Sequence, residues 1–195
     1  YLLRSGLCTA PKRILAISFK RDAAYNLAER VADRCPSEQA RRFNSFTFDA
    51  FAKSLVDRFC AAIPEPYPPP ADYRIVMPRR KDYTNFLDTH NFYSVNAQQL
   101  ERAIAREQLP IAHEGTGTDV QRVVARYWYA QYNDYDHVLL SFPMINRLVE
   151  LLLRENPSIL KALRLTYPVV FLDEFQDTTF AQFQLLRTAF EGSET

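Results

Sequence analysis

The sequence predicts an α/β protein in which a parallel sheet is flanked by helices and interrupted by a mainly helical insertion. Two short apolar runs, residues 13–19 and 168–172, are rich in β-branched and aromatic residues, and a helical pattern follows each of them. That arrangement is typical of strands buried on both faces of a parallel sheet. Five prolines between positions 64 and 70 mark a semi-rigid connector. The insertion is predicted to begin there.

The first section of the chain alternates helices and strands. Residues 1–5 have the pattern of a last helical turn, with Gly6 as the residue that follows it. A strand ending at Phe19 then leads into a helix through the basic pair Lys20-Arg21. A basic pair between a parallel strand and a helix suits phosphate binding, because the free N–H groups and the helix dipole both favour anions. On their own, these two cations are equally compatible with ordinary surface.

A short strand candidate at residues 41–48 precedes a helix at residues 49–62, and aromatic residues recur through both. Phe46, Phe48 and Phe51 are predicted to pack mostly in the core. One or two of them could instead form a stacking platform for single-stranded bases, since arginines lie beside them.

The middle section contains helices at residues 96–107 and 118–133, the second capped by Thr118 or Asp119. No buried parallel strand is predicted between residues 71 and 135, and the basic cluster at 78–81 is interpreted as solvated. Further helices are predicted from Ser141, from Asn156 to Leu165, and over residues 179–190. The predicted domains are 1–62 and 136–195 for the two parts of the α/β unit, and 63–135 for the insertion.

Composition and charge narrow the function classes. No apolar run approaches the ~20 residues needed to cross a bilayer, so no membrane partner is expected. No leader pattern is present and a cytoplasmic location is expected. The three cysteines and three histidines are scattered, which favours neither a disulfide framework nor a metal site; these residues are Cys8, Cys35, Cys60, His90, His113 and His137.

Charge is unevenly distributed along the chain. Residues 1–58 carry eleven Lys or Arg against six acids, whereas residues 168–195 carry one Arg against five acids. This suits a protein that holds a polyanion in one place and a metal in another. The alternative is an ordinary solvated surface.

Three carboxylates follow the second apolar run: Asp173, Glu174 and Asp177. Open α/β sheets bind their ligands at the carboxyl ends of their strands. In nucleotide hydrolases the first acid of such a pair holds Mg²⁺ and the second orients or deprotonates a water. The alternative is a solvated pair at a strand end.

Three segments together resemble the superfamily 1 DNA helicases of the UvrD/Rep/PcrA group. The segment Asp173-Glu174-Phe175-Gln176-Asp177-Thr178, with Gln182 four residues on, resembles motif II of that group. Ile14-Leu15-Ala16-Ile17-Ser18-Phe19, continuing to Arg30, is similar to motif Ia. Thr47-Phe48, with Phe51-Ala52 beyond, resembles the Thr-Phe-His-Ser-Phe motif. The helical insertion also falls where the family has one.

The resemblance implies a partial RecA-like fold of the P-loop NTPase class and an ATP-dependent 3′→5′ helicase or translocase of repair or recombination type. It implies ATP and Mg²⁺ as cofactors, and single-stranded DNA or duplex–single-strand junctions as partners. Asp173 would bind Mg²⁺ through water, and Glu174, with Gln176, would act in hydrolysis. Phe19, Lys20, Arg21, Thr47 and Phe48 would contact DNA. Asp177, Thr178 and Gln182 would couple the nucleotide and DNA sites.

The sequence also departs from the family pattern. It has Lys20-Arg21-Asp22 where the family has Thr-Asn-Lys, and Asp49, expected to cap a helix, where the family has histidine. It contains no Gly-x-x-x-x-Gly-Lys-Ser/Thr, so the nucleotide site is incomplete. A truncated fragment, inactive by itself, is expected.

Three alternatives remain open. The first is a helicase-fold DNA-binding module without ATPase activity. The second is the helicase subunit of a helicase–nuclease complex, with a nuclease or repair partner still to be identified. A Mg²⁺-dependent nuclease is disfavoured, because no further acids or lysine cluster with the carboxylates.

Overall fold

The computed structural model describes residues 1–111 and 117–192, and His113 lies outside them. The strands are β1 (Ile14–Ser18), β2 (Phe43–Thr47), β3 (Arg74–Ile75), β4 (Leu139–Leu140) and β5 (Val169–Leu172). The helices are α1 (Arg21–Arg34), α2 (Ser37–Ala40), α3 (Phe48–Phe59), α4 (Arg80–Thr89), α5 (Ala97–Arg106), α6 (Asp119–Asn133), α7 (Phe142–Glu155), α8 (Pro157–Thr166) and α9 (Phe180–Phe190). Two 3₁₀ turns lie at Cys60–Ala62 and Phe175–Asp177.

The chain divides into two compact units. The first comprises Tyr1–Leu55 with Leu153–Thr195, and the second comprises Val56–Leu152. Both boundaries fall inside helices, within α3 and near the end of α7. The three-domain division predicted from the proline connector stays a prediction.

A three-stranded parallel sheet in the order β2-β1-β5 forms the centre of the first unit. All five residues of β1 are buried, because β1 is paired on both sides. The predicted buried strand is therefore confirmed for β1. The mixed α/β class is confirmed as well, since α1 makes the crossover that a parallel β1–β2 pair requires.

The predicted strand at residues 168–172 is confirmed by β5, but the prediction that it is buried on both faces is wrong, because none of its four residues is buried. Phe171 is 48% exposed and Leu172 is 39% exposed. The reason is position: β5 lies at the edge of the sheet, and no other strand in the described part of the chain pairs with its outer side. A cavity of about 490 Å³ lies beside it, lined by Val170, Leu172, Phe175, Phe183, Leu186, Arg187, Phe190 and Glu191.

Side chains placed where the helices begin explain several of the predicted boundaries. The Thr118 hydroxyl accepts from the Gln121 amide at 3.3 Å, which confirms Thr118 as the cap of α6. Asn96 caps α5 in the same way. Residues 1–5 form a helical turn closed by a 2.8 Å bond from the Ser5 amide to the Tyr1 carbonyl. Gly6 follows at φ +79°, as a residue after a helix often does.

The second unit is mainly helical and contains two features that the sequence did not predict. A two-residue parallel pair joins β3 to β4. β3 lies in the section predicted to lack buried strands, and it is too short, with Arg74 exposed, to leave a pattern. Helix α4 begins inside the basic cluster at 78–81, where Asp82 accepts from the Arg79 amide. No helix within residues 1–111 or 117–192 is long and apolar enough to cross a membrane.

Helix α7 carries a buried ion pair in the core of the second unit. Arg147 Nη1 lies 2.9 Å from Glu150 Oε2, and both side chains are almost fully buried. Glu150 also accepts a 3.1 Å bond from the Gln108 side chain, which ties α7 to the segment after α5. Removing one charge would take this ion pair away from a charge that stays buried, and that is costly.

Glu150→Gln should therefore lower the free energy of unfolding by about 3 kcal/mol, measured by urea denaturation. Asp119→Asn is the matched control, because Asp119 and Arg122 form an i,i+3 pair that is about half exposed. The control should change stability by less than about 1 kcal/mol. Equal effects of the two substitutions would contradict the buried-pair interpretation.

Candidate functional site

The parallel register brings the predicted site segments to one edge of the sheet. Ser18, the last residue of β1, lies opposite Thr47 of β2. Ile17 lies opposite Leu172, the last residue of β5. The residues at the carboxyl ends of these strands, 19–21, 47–48 and 173–174, therefore lie at the same edge of the sheet. This is the edge where open α/β sheets bind ligands.

The acidic side of this edge is residues 173–178, called here the carboxylate loop. The Asp173 amide donates to the Ile17 carbonyl at 2.9 Å, so the pairing with β1 extends one residue past β5. The Phe175–Asp177 turn is closed by 2.9 Å and 3.1 Å bonds to the Glu174 and Phe175 carbonyls. Asp173, Glu174 and Asp177 are all exposed. The loop therefore presents three carboxylates to solvent, and its first residue is held in place by the bond to β1.

Glu174 has a left-handed backbone with φ 52° and ψ 42°. This region costs a residue with a Cβ roughly 1–2 kcal/mol. The Glu174 carboxylate accepts a hydrogen bond from the Gln176 carboxamide. The turn therefore holds two of the predicted catalytic residues together, and it does so with a strained backbone at the second acid.

Magnesium fits the carboxylate loop only as a partly hydrated ion. Mg²⁺ prefers oxygen ligands, keeps several waters, and is commonly bound by one or two carboxylates together with substrate phosphates. Asp173 and Glu174 could supply such carboxylates. No group of three or more His, Cys, Asp or Glu residues in the described ranges could hold a metal by itself.

The basic side of the edge follows β1. Lys20 is the residue before α1, and both Lys20 and Arg21 are exposed. Their charges lie beside the N-terminus of a 14-residue helix whose first amides lack intrahelical partners. The local arrangement suits a phosphate group.

The two aromatic residues predicted to face DNA have different environments. Phe48 is only 2% exposed and packs in the core, whereas Phe19 is half-buried. Their rings are stacked with centroids 6.4 Å apart and planes at 23°. Of these two rings, Phe19 therefore keeps accessible surface, and Phe48 packs against it from the core.

The start of α3 differs from the prediction. The Thr47 hydroxyl accepts from the Ala50 amide at 3.2 Å, so Thr47 is the cap and not Asp49. Asp49 lies in the first turn of α3 and is half-buried. Burial raises the pKa of Asp49 above its ordinary value of 3.8, and hydrogen bonding from the side chain of Gln182 in α9 acts to lower that pKa.

Sequence reasoning also missed Ser18. Its side chain is 1% exposed, and no partner for its hydroxyl is present among the described residues. A buried hydroxyl in an apolar strand at this edge is the signal that could have marked it. Thr178, predicted to act in coupling, likewise has a buried hydroxyl without a described partner.

A parallel sheet flanked by helices, with an acidic loop after one strand and a basic turn after its neighbour, defines a partial RecA-like domain. The sequence matches the family model of the UvrD/REP helicase N-terminal domain over residues 1–195. The chain therefore belongs to this family, which confirms the resemblance seen in its motifs. A comparison with curated proteins found no match.

The left-handed backbone of Glu174 predicts an unusual ranking of substitutions. Glu174→Gly should be more stable than Glu174→Ala by about 1 kcal/mol, because glycine adopts positive φ without the Cβ penalty. Free energies of unfolding of the two variants measure this. Both variants lose the carboxylate, so the comparison isolates the backbone. A more stable alanine variant would contradict the left-handed assignment.

The raised pKa of Asp49 predicts a pH-dependent stability difference. Between 3.8 and the raised value, the folded state binds more protons than the unfolded state, so this group's contribution to stability falls as pH rises. Asp49→Asn should therefore be more stable than the unsubstituted protein near neutral pH, and the difference should vanish as pH approaches 3.8. Urea denaturation across this range tests it, and a difference that grows at low pH would contradict it.

Proposed function

We propose that this domain supplies the DNA-contacting edge and the hydrolytic carboxylates of an ATP-dependent 3′→5′ helicase or translocase that acts in DNA repair or recombination. One observation carries the proposal: a single sheet edge places the basic turn after β1 and the carboxylate loop after β5 on neighbouring strands. A helicase must couple its nucleotide site to its DNA-binding site. Adjacent strands of one sheet provide a short connection between the two sites.

In this proposal Asp173 holds Mg²⁺ through water and Glu174 activates the attacking water. Phosphoryl transfer depends mainly on positioning and charge neutralisation. The Gln176 carboxamide would orient Glu174, in keeping with the hydrogen bond between them. Asp177 and Thr178 would pass changes at the nucleotide toward α9.

The proposed nucleic-acid partner is single-stranded DNA, or a junction between duplex and single strand. Lys20 and Arg21 would bind its phosphates, since exposed cations beside a helix N-terminus favour them. Phe19 would stack on a base. Thr47 would help to position that contact by capping α3. The buried Phe48 would do so by packing against Phe19.

ATP hydrolysis is proposed for the full-length protein, located in the cytoplasm, and not for these residues alone. The 195 residues contain no Gly-x-x-x-x-Gly-Lys-Ser/Thr sequence, and we propose that this phosphate loop comes from outside them. That absence also favours the second candidate, a DNA-binding module that does not hydrolyse ATP. Oligonucleotide binding by a full-length protein without turnover would decide for the second candidate. A third candidate is the helicase subunit of a helicase–nuclease complex, which would use the same sheet edge.

Glu174→Gln should reduce the ATP hydrolysis stimulated by single-stranded DNA in the full-length protein by about 100-fold or more, because a general base would be lost. Steady-state phosphate release measures the effect. Glu38→Gln, at an exposed glutamate of α2, is the matched control and should have no effect. Unchanged hydrolysis in the Glu174 variant would reject the assignment.

Replacing both Lys20 and Arg21 by alanine should weaken binding of an oligo(dT) strand. The slope of log K against log salt should become shallower by about 0.7 for each DNA phosphate that the variant no longer neutralises. Fluorescence anisotropy at several salt concentrations measures both quantities. Arg30→Ala is the control, because Arg30 is an exposed cation on the same helix, away from the edge. An equally large effect in the control would indicate general charge attraction only.

A further inference from the structure

Four cations lie side by side at the amino end of the three-stranded sheet, opposite the edge described above. Lys12 and Arg13 come directly before β1, and Arg41 and Arg42 come directly before β2. The parallel pairing joins the first residues of these two strands, so the two dipeptides are neighbours in space. Lys12, Arg13 and Arg41 are exposed, and Arg42 is half-buried. These four residues are called here the basic end of the sheet.

Backbone carbonyls and one side-chain amide hold the basic end in place. The Arg42 guanidinium donates to the carbonyl of Lys12 at 2.8 Å and to the carbonyl of Cys8. Arg13 Nη1 donates to Asn44 Oδ1 at 3.3 Å. Within the described residues, none of the four cations forms an ion pair with a carboxylate. Like charges on neighbouring strands repel each other, and a bound anion would relieve that repulsion.

The immediate surroundings of the basic end do not neutralise its charge. Helix α1 begins after β1 and returns to the amino end, where its last turn contributes Asp33 and Arg34. Arg4 donates to the Arg34 carbonyl at 2.9 Å, and α2, which leads into β2, carries Glu38. These two cations and two acids balance each other, so the four positive charges of the basic end remain in excess.

An exposed leucine lies on each side of the basic end. Leu7 is 67% exposed and directly precedes Cys8, the residue whose carbonyl is bound by a guanidinium of the basic end. Leu165 is 57% exposed and directly precedes Thr166, whose carbonyl accepts a 2.7 Å bond from the Arg13 amide. The surface therefore combines unneutralised cations with apolar side chains at its two sides.

We propose that the basic end, with Leu7 and Leu165 beside it, is a docking surface for an acidic peptide segment of a partner protein that also carries leucine or phenylalanine side chains. Charge complementarity selects the partner's carboxylates, and guanidinium groups bind carboxylates through paired N–H donors. The surface lies at the opposite end of the sheet from the proposed DNA-contacting edge. A peptide bound there leaves that edge free, and the inference does not depend on the proposed function.

The exposed leucines favour a peptide over a nucleic acid as the occupant. A phosphate backbone would match the four cations equally well, but it offers no apolar side chains to cover Leu7 and Leu165. An acidic peptide with leucine or phenylalanine matches both parts of the surface, because its carboxylates meet the cations while its apolar side chains leave water on contact with the leucines.

The test measures binding of two fluorescein-labelled peptides to the full-length protein by fluorescence anisotropy. One peptide is rich in Glu and Leu, and the other has every Leu replaced by Ser at the same charge. The Glu-Leu peptide should bind more tightly. Replacing both Lys12 and Arg41 by alanine should weaken its binding by about tenfold. Replacing both Leu7 and Leu165 by serine should weaken it by about fivefold, yet leave the Glu-Ser peptide unaffected.

Arg58 and Arg102, two exposed cations of the second unit, provide the matched control. Replacing both by alanine removes the same charge and should leave peptide binding unchanged. Equal losses in the control and in the Lys12 and Arg41 variant would show general charge attraction and overturn the inference. Equal binding of the two peptides would overturn it as well, because the leucines would then have no role.

A duplex oligonucleotide distinguishes the alternative occupant. If it binds the unsubstituted protein more tightly than the Glu-Leu peptide does, and loses that binding when Lys12 and Arg41 are replaced, the surface is a DNA site and the inference is wrong. Hydrolysis of ATP stimulated by oligo(dT) should be the same in the Lys12 and Arg41 variant as in the unsubstituted protein. Failure of peptide docking with stimulation intact would overturn this inference alone, whereas absence of stimulation in the unsubstituted protein would overturn the proposed function alone.

Discussion

The parallel hydrogen bonding of β1 with both of its neighbours determines where every candidate site residue lies. β1 is the middle strand, and its register places the ends of β2 and β5 beside its own end. A slip of one residue would turn the side chains of a strand to the opposite face. Every residue of β1 is buried, so such a slip would replace close-packed contacts on both faces of the strand with mismatched ones. The edge is thus set by core packing in the middle of the sheet.

The same ladder controls the geometry of the carboxylate loop. The bond from the Asp173 amide to the Ile17 carbonyl holds the first acid against β1, and the chain then turns away through the left-handed Glu174. Strain of this kind persists only where the surroundings enforce it, and it is common at functional sites. The hydrogen bond from Asp173 to β1 constrains the chain before Glu174. The capped start of α9 constrains it after the carboxylate loop.

Local patterns were enough to predict β1, α5, α6 and α9, because each has a clear apolar run or a cap within a few residues. They also predicted β5 as a strand, but not its place at the edge of the sheet. A buried strand and an edge strand can have the same composition, and the number of neighbours is a property of the whole sheet. Phe48 illustrates the same limit: its sequence context fits a core ring or a DNA contact, and only the 2% exposure separates them.

Contacts between distant parts of the chain account for the rest of what the sequence did not predict. Asp49 was expected to cap α3, since an aspartate there would otherwise repel a nearby phosphate. The structure instead has the Thr47 hydroxyl as the cap, one residue before the helix begins. Ser18 was missed because one hydroxyl within an apolar strand does not disturb the strand pattern.

Photocrosslinking tests most directly whether the carboxyl edge of the sheet is the face that contacts DNA. A benzophenone amino acid would replace Phe19 at that edge or, in a control, Tyr1, which is 90% exposed. Tyr1 precedes Leu2, which packs against the hydrophobic cluster that contains Ile14 at the opposite, amino end of β1. After irradiation with oligo(dT), the variant at position 19 should form a covalent adduct and the variant at position 1 should not. Crosslinking at position 1 without crosslinking at position 19 would contradict the account.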